Sequence, residues 1–562
     1  MSFVAQRALP LLLLPSLLLG AQTQKSAPSD GTPTFRADTR IVLLDVVVTD
    51  PAGHPIHGLK PENFSIYEDG RPQSVSSFDE QGPDIAVRTQ PVPVNLLANE
   101  YTNYTVHNDP GALTVVLVDS VDSSREDLTN AKEQLLKFLK KLPAGKQVAI
   151  YALGERLRML QSFTADSNAL LAAAQKLSTV PLALYGNNRE LSARIGELKE
   201  SGIANNPKAF RAALGTLGQE YDSKIEMRTQ DALEGLTQVA RALAGMPGRK
   251  NLIWLSGGFP FDTSDTERFQ RVAGLLATTR IAVYPVDVRR IVLMSADAQT
   301  RDTELYAPVQ TQSYETIAAL NDEDRALGDT LEDFARLTGG RAYLNKNDLA
   351  HSIADAVDNG SSYYSIAYRP TNKNWNGKYR RVAIKINRPG ARVLCRAGYY
   401  AVTDPLNAKE DPDRSAALAM QRESPISTQL IMKARVVPPD SAGGTVSIDI
   451  LIDAHALKFN QLNDQHRAAD VEFLAVASND AGKQCGSFVD TFRQPLTAAD
   501  LQSLLRTGLQ LHRDMTLPAG SYHLRLGVMD RLASRIGTLD VPLTIVASQK
   551  DAAHQSESGT KE

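Results

Sequence analysis

Leu113–Asp122 reads LTVVLVDSVD, and the fold turns on it. Seven residues dominated by β-branched and aliphatic side chains, with no polar alternation, predict a strand buried on both faces. The run ends at Asp119 and passes into Ser120, Val121, Asp122, Ser123 and Ser124. Hydroxyl and carboxylate groups then lead into a helical pattern that starts at Arg125. A strand–acidic loop–helix unit of this kind belongs to an open α/β sheet, where ligands sit beyond the carboxyl ends of the strands. Oxygen-rich side chains at that position suit a hard divalent cation. The same groups also suit simple capping of the helix that follows.

A second buried strand with a special ending is Asn251–Pro260, NLIWLSGGFP. Between and after these two, strands predicted at 147–153, 158–163 and 281–288 alternate with helices near 124–142, 166–177, 229–244 and 266–277. That alternation predicts a largely parallel, doubly wound sheet covered on both faces over residues 111–358, with a mostly helical insertion near 180–221. Outside this block the pattern is strand-only. Segments 39–81 and 361–402 are expected to form one β-sandwich into which the α/β domain is inserted. Residues 403–424 read as a linker. Residues 425–547 carry about seven strand signals with turn residues between them, which suits an immunoglobulin-like sandwich. Residues 22–38 read as a polar linker and 548–562 as a disordered tail.

The chain has 562 residues, 42% hydrophobic and 22% charged, with a formal net charge of -3. That size demands several cores. The near-neutral balance, without a basic block, argues against nucleic acid as a partner. Two cysteines, Cys395 and Cys485, exclude a disulfide framework. A single inter-domain bridge or two unpaired buried thiols remain, and the spacing favours the thiols. At the N-terminus, Arg7 precedes an apolar run over Leu9–Leu19 broken by Pro10 and Pro15, followed by small residues at 20–21. This reads as a signal peptide over residues 1–21, hence a secreted or periplasmic protein. No other stretch is long and apolar enough to span a bilayer.

Catalytic signatures are missing from the sequence. There is no H-E-x-x-H, no G-x-S-x-G and no phosphate-binding loop. His54 and His57 are the nearest histidine pair and fall on a turn. Trp375, between Asn374 and Asn376, is either an exposed contact residue or a turn residue folded back on the sandwich.

The order of these blocks resembles the VWFA-related Acidobacterial domain family, which is von Willebrand factor type A-like (vWA) and secreted. The residues carrying the likeness are GLKPENF at 58–64, VVLVDS at 115–120, PGRKNLIWLSGGFP at 247–260, IAVYPVDVR at 281–289, TGGRAY at 338–343, SYYSIAYRP at 362–370 and GKYRRVAIKI at 377–386. The resemblance implies a vWA-like, Rossmann-like sheet inserted in or flanked by a β-sandwich. It also implies a metal-ion-dependent adhesion site built on D-x-S-x-S, a later Thr and a later Asp. Asp119 and Ser123 match the first Asp and second Ser, and Thr229 matches the Thr. Val121 stands at the first Ser position, and Ser256-Gly257-Gly258 replaces the late Asp. Asp122 and Asp262 are the candidate substitutes. A degenerate Mg²⁺ or Ca²⁺ site on Asp119, Ser123, Asp122 and Thr229 is therefore one reading, and a metal-free loop that caps its helix is the other. With either, the expected role is non-enzymatic: a protein partner bound by adhesion or interaction. The alternative is a structural scaffold of a cell-envelope assembly, and a hydrolase is the least supported reading. The adhesive reading predicts that Asp119→Ala weakens partner binding and leaves the domain folded.

Overall fold

The computed structural model describes residues 40–82, 96–104, 112–179, 188–258, 266–289, 328–402, 411–439 and 444–546. The proposed signal peptide, Asp262 and the polar tail lie outside them. A five-stranded sheet forms the middle of the mixed α/β structure. Its strands are β1 (Leu113–Asp119), β2 (Val148–Leu153), β3 (Leu157–Thr164), β4 (Lys250–Ser256) and β5 (Ile281–Asp287), in the order β5-β4-β1-β2-β3. β1 is central and pairs in parallel with both β2 and β4, so that Leu117 lies between Tyr151 and Trp254. β3 closes one edge antiparallel to β2. At the other edge Tyr343 makes a parallel bridge to Val286.

Alternate residues of each strand feed two separate cores, which is why no polar residue interrupts the runs. Val115, Leu117, Leu252, Trp254 and Val283 face helices α4 (Pro207–Leu243) and α5 (Thr266–Thr278). Val116, Val118, Ile253, Leu255 and Tyr284 face α1 (Arg125–Leu139), α2 (Ser167–Gln175) and the helix Leu349–Asn359. Helix starts follow local chemistry. Ser124 caps α1 and forms a reciprocal capping box with Asp127, while Asn206 accepts from the N–H groups of Lys208 and Ala209 ahead of Pro207.

The later part of the helical insertion expected near 180–221 runs without a break into the helix expected near 229–244. Helix α3 (Asn188–Glu200) packs against α4, joined by the Arg194–Glu220 pair at 2.8 Å. α4 is one continuous helix of 37 residues. Its second half, from Thr229 onward, covers the sheet. Its first 20 or so residues are mostly exposed and, at 1.5 Å per residue, rise roughly 30 Å beyond the sheet.

Strands 42–81 and 363–400 pair with one another. Val42–Thr49 runs antiparallel to Tyr363–Tyr368, with Val42 opposite Tyr368, and Phe64–Glu68 runs antiparallel to Tyr379–Ile386. The two four-stranded sheets enclose one apolar core around Leu44, Val46, Phe64, Ile66 and Tyr364. Within it, Glu68 accepts from the hydroxyls of Tyr368 and Tyr399, both at 2.8 Å, and pairs with buried Arg380. The Arg380 guanidinium also lies 5.1 Å from the Trp375 ring. Trp375 therefore folds back on this sandwich and is not a free contact residue.

Two further four-stranded sheets share the C-terminal core around Phe473, Ile448, Leu524 and Leu526. One of their strands comes from elsewhere in the chain. Glu100–Thr102 adds to the edge of Met432–Val437, with Glu100 opposite Arg435. Three residues in a proline-rich connector give no periodicity, so the sequence hides this strand. Asn103 locks it: buried, its Nδ2 donates to the carbonyls of Ser427 and Leu430, and its Oδ1 accepts from Met432 N–H. Asn103→Ala takes this partner from the Leu430 carbonyl and the Met432 N–H, while the Ser427 carbonyl keeps Thr538 N–H, and should cost about 2 kcal/mol, read as a lower unfolding midpoint with earlier proteolysis of the connector.

Both cysteines are free thiols. Cys485 is exposed on Gln484–Phe492, contrary to the expectation that both are buried. Cys395 is half-buried as a residue, and enclosure of its thiol pushes it up to about 12. A thiolate-directed alkylating reagent should label Cys485 in the native protein and Cys395 only after denaturation, as a mass shift per thiol shows. Among the described residues no helix is long and apolar enough to cross a membrane.

Candidate functional site

The carboxyl ends of β1, β4 and β5 form a rim. All three end in a polar residue, Asp119, Ser256 and Asp287, and all three are buried. Asp119 is fully enclosed. Its Oδ1 accepts from the backbone N–H of Val121 at 2.9 Å and of Asp122 at 3.3 Å. Its Oδ2 accepts from Trp254 Nε1 at 3.0 Å and lies 3.1 Å from Ser256 Oγ. Ser256 Oγ is also 2.8 Å from the carbonyl oxygen of Gly258, so its one proton serves a single acceptor at a time. Burial raises the Asp119 carboxyl above its ordinary range, against the pull of these donors.

The two loops are clasped directly. Ser123 Oγ accepts from Gly257 N–H at 3.0 Å. A Cβ on Gly257 would stand 2.4 Å from the Asp122 carbonyl oxygen, so only glycine permits this approach. Asp122 meets the root of the helical arm: Arg228 on α4 places Nε and Nη2 each 2.9 Å from Asp122 Oδ1. Burial pushes Asp122 up to about 8, opposed by Arg228 and reinforced by the charge of Asp119. The other oxygen, Oδ2, is buried without a hydrogen-bond partner. Thr229 follows Arg228 and is buried. At β5, Arg289 binds Asp287 through Nε and Nη2, each at 2.9 Å.

The structure thus brings Asp119, Asp122 and Ser123 together with Arg228, one residue before Thr229. The sequence reading missed Trp254, Ser256, Asp287 and the two arginines as rim residues. A signal for Asp287 was present, since IAVYPVD repeats the apolar-strand-then-Asp pattern of LTVVLVD. Arg228 had none, because nothing local tells a partner of Asp122 from a solvated helix charge.

The donor set does not fit a divalent cation. Such an ion wants about six to eight oxygen ligands. Both Asp119 oxygens and Ser123 Oγ are engaged by protein donors, Val121 is packed in the apolar core, and a guanidinium stands against Asp122. All four candidate ligands, Asp119, Asp122, Ser123 and Thr229, are buried. Among the described residues no cluster of three or more His, Cys, Asp or Glu side chains is arranged to hold a metal.

The opposite ends of the strands are docked to the first sandwich. Arg280, just before β5, binds Asp45 through Nε at 2.9 Å and Nη2 at 2.5 Å. Arg249 N–H donates to the Tyr363 hydroxyl, and Arg249 Nη2 to the Tyr284 hydroxyl and the Gly339 carbonyl. Lys250 is buried beside them with Nζ donating to the Met246 carbonyl at 2.8 Å. The C-terminal sandwich and its linker attach at the same end of α4 and along β3, through Thr428 to Ala242 and Glu423 to Met159.

No protein-family profile matches the chain, and no curated protein does. Solved structures similar to it include an aerotolerance-related membrane protein from Bacteroides fragilis, 9% identical over 44% of this chain and 98% of that chain, with a TM-score of 0.25. A von Willebrand factor type A protein from Catenulispora acidiphila is 12% identical over 62% of this chain and 78% of that one, TM-score 0.16. The pilus adhesin SpaC from Lactobacillus rhamnosus GG is 10% identical over 76% of this chain and 56% of the adhesin, TM-score 0.18.

Proposed function

We propose that this chain is a non-enzymatic, vWA-like interaction protein of the secreted or periplasmic space, and that it meets a protein partner with the α3–α4 arm and the rim beneath it. One observation carries the reading. Both sandwiches attach at the amino ends of the strands or along β3, which leaves the arm and the carboxyl ends of the strands as the presented end of the α/β domain. The arm offers Lys208, Arg211, Asp222 and Glu226 with exposed Met227 among them, a mixed charged and apolar surface of the kind that protein interfaces use. The C-terminal sandwich, immunoglobulin-like in this reading, attaches beside the C-terminus of α4.

The test is site-specific photo-crosslinking in envelope extracts. A crosslinker at Gln219 or Asp222 should trap one partner that a crosslinker at Gln510 does not, and replacing residues 190–225 by a short turn should abolish capture while circular dichroism stays native outside the lost helix. Capture that is indifferent to the arm would defeat the proposal. The alternative, a scaffold without a rim ligand, is favoured by one feature: both oxygens of the Asp119 carboxylate are engaged from within.

A further inference from the structure

We infer that Arg228 is the resident cation of the rim: a guanidinium from the root of the arm does the electrostatic work that a vWA-like site would give to a divalent ion. This goes beyond the partner reading and holds whatever the arm binds. The acids at this place are Asp119 and Asp122, both buried, with Asp231 one helical step from Arg228. Against them, Arg228 presents two N–H groups to one Asp122 oxygen at 2.9 Å, from a side chain itself only 11% exposed. A fixed guanidinium neutralises a buried carboxylate without needing an ion from solution. It also latches the arm to the loop, since Arg228 lies where α4 leaves the sheet. The latch explains why Val121 and the missing late Asp are tolerated here: no coordination shell has to be completed.

The inference makes a metal site something that substitution should create. With Arg228→Gln, Asp122 loses the cation that opposes its protonation, and its oxygens become open to a hard cation that displaces the proton. The probe is Tb³⁺, whose emission is sensitised by a nearby indole, and Trp254 Nε1 sits 3.0 Å from Asp119. The native protein should give no saturable Tb³⁺ emission, and millimolar Mg²⁺ or Ca²⁺ should leave its Tm unchanged. Arg228→Gln should have a lower Tm, recovered by about 3 °C with Mg²⁺ or Ca²⁺, and should gain Tb³⁺ emission that Asp122→Asn removes. Arg228→Lys, which keeps a cation, should stay dark. Saturable Tb³⁺ emission from the native protein that Asp122→Asn abolishes, or an Arg228→Gln protein that folds and neither binds Tb³⁺ nor responds to Mg²⁺ or Ca²⁺, overturns the inference. If Arg228→Gln does not fold, the Arg228→Gln/Asp122→Asn double variant decides. A double variant folded and more stable than Asp122→Asn alone supports the pairing, and one no better than Asp122→Asn defeats it.

Discussion

Asp119→Ala should destabilise the α/β domain by about 3–5 kcal/mol. The side chain serves as acceptor hub for Val121 N–H, Asp122 N–H and Trp254 Nε1, with Ser256 Oγ at hydrogen-bond distance, and none of these groups has access to water. Each buried donor left unmet costs about 1–3 kcal/mol, and a cavity adds to that. Asp119→Asn keeps one acceptor oxygen and should lose roughly half as much. Urea unfolding followed by Trp254 fluorescence, in a Trp375→Phe background, measures both. The adhesive reading of the sequence expects a different outcome, in which Asp119 faces a partner and its loss spares the fold. Weakened partner binding by an Asp119→Ala protein of native stability would refute the structural role.

Lys250→Met should act in the other direction and stabilise the protein by about 3 kcal/mol at neutral pH and below. Lys250 is buried, and burial lowers its ammonium to about 7, with Arg280 adding to the shift and Asp45 opposing it. In the unfolded chain the same amine titrates at its ordinary value near 10.5. Between those two values the unfolded chain binds more protons than the folded one, so folding stability falls as pH drops from about 10.5 to about 7. Below about 7 the penalty is constant, because both states are then protonated. Replacing a buried charge by an apolar side chain of similar length removes that penalty. The gain should therefore be full at pH 6–7 and shrink toward pH 10, a pH-dependent difference in denaturation midpoint between Lys250→Met and the native protein. A gain independent of pH would mean that improved packing, not the ammonium, is responsible.

Much of the central sheet is legible in the sequence because both of its faces are buried. Continuous apolar runs such as VVLV at 115–118 have no other stable home, and the observed strands at 113–119, 148–153 and 250–256 lie within a residue or two of where those runs sit. The antiparallel direction of β3 was not legible, since strand direction depends on connection geometry and not on periodicity. The long helix was only half legible. Thr229–Leu243 is patterned by the core it covers, whereas the first half of α4 has an exposed, mixed surface that resembles any solvated helix. The rim shows the same division. Asp119, Asp122 and Ser123 are close in sequence and were recognisable as a loop, but their partners Trp254, Gly257 and Arg228 lie more than 100 residues away. Only the folded chain reveals which of these polar groups meet.

The strand Glu100–Thr102 has a further consequence for how the protein is made. Asn103 waits for Ser427, 324 residues downstream, and Leu59 waits for Tyr364, 305 residues downstream. At ribosomal speeds that is roughly tens of seconds during which Val42–Thr49 and the connector lack the strands they pair with. The α/β domain, whose last helix ends at Asn359, is complete well before Ser427 is made and only just before Tyr364. Its folding shortens the distance between the waiting segments and their late-arriving partners, so the order of synthesis makes the middle of the chain the template on which both ends assemble.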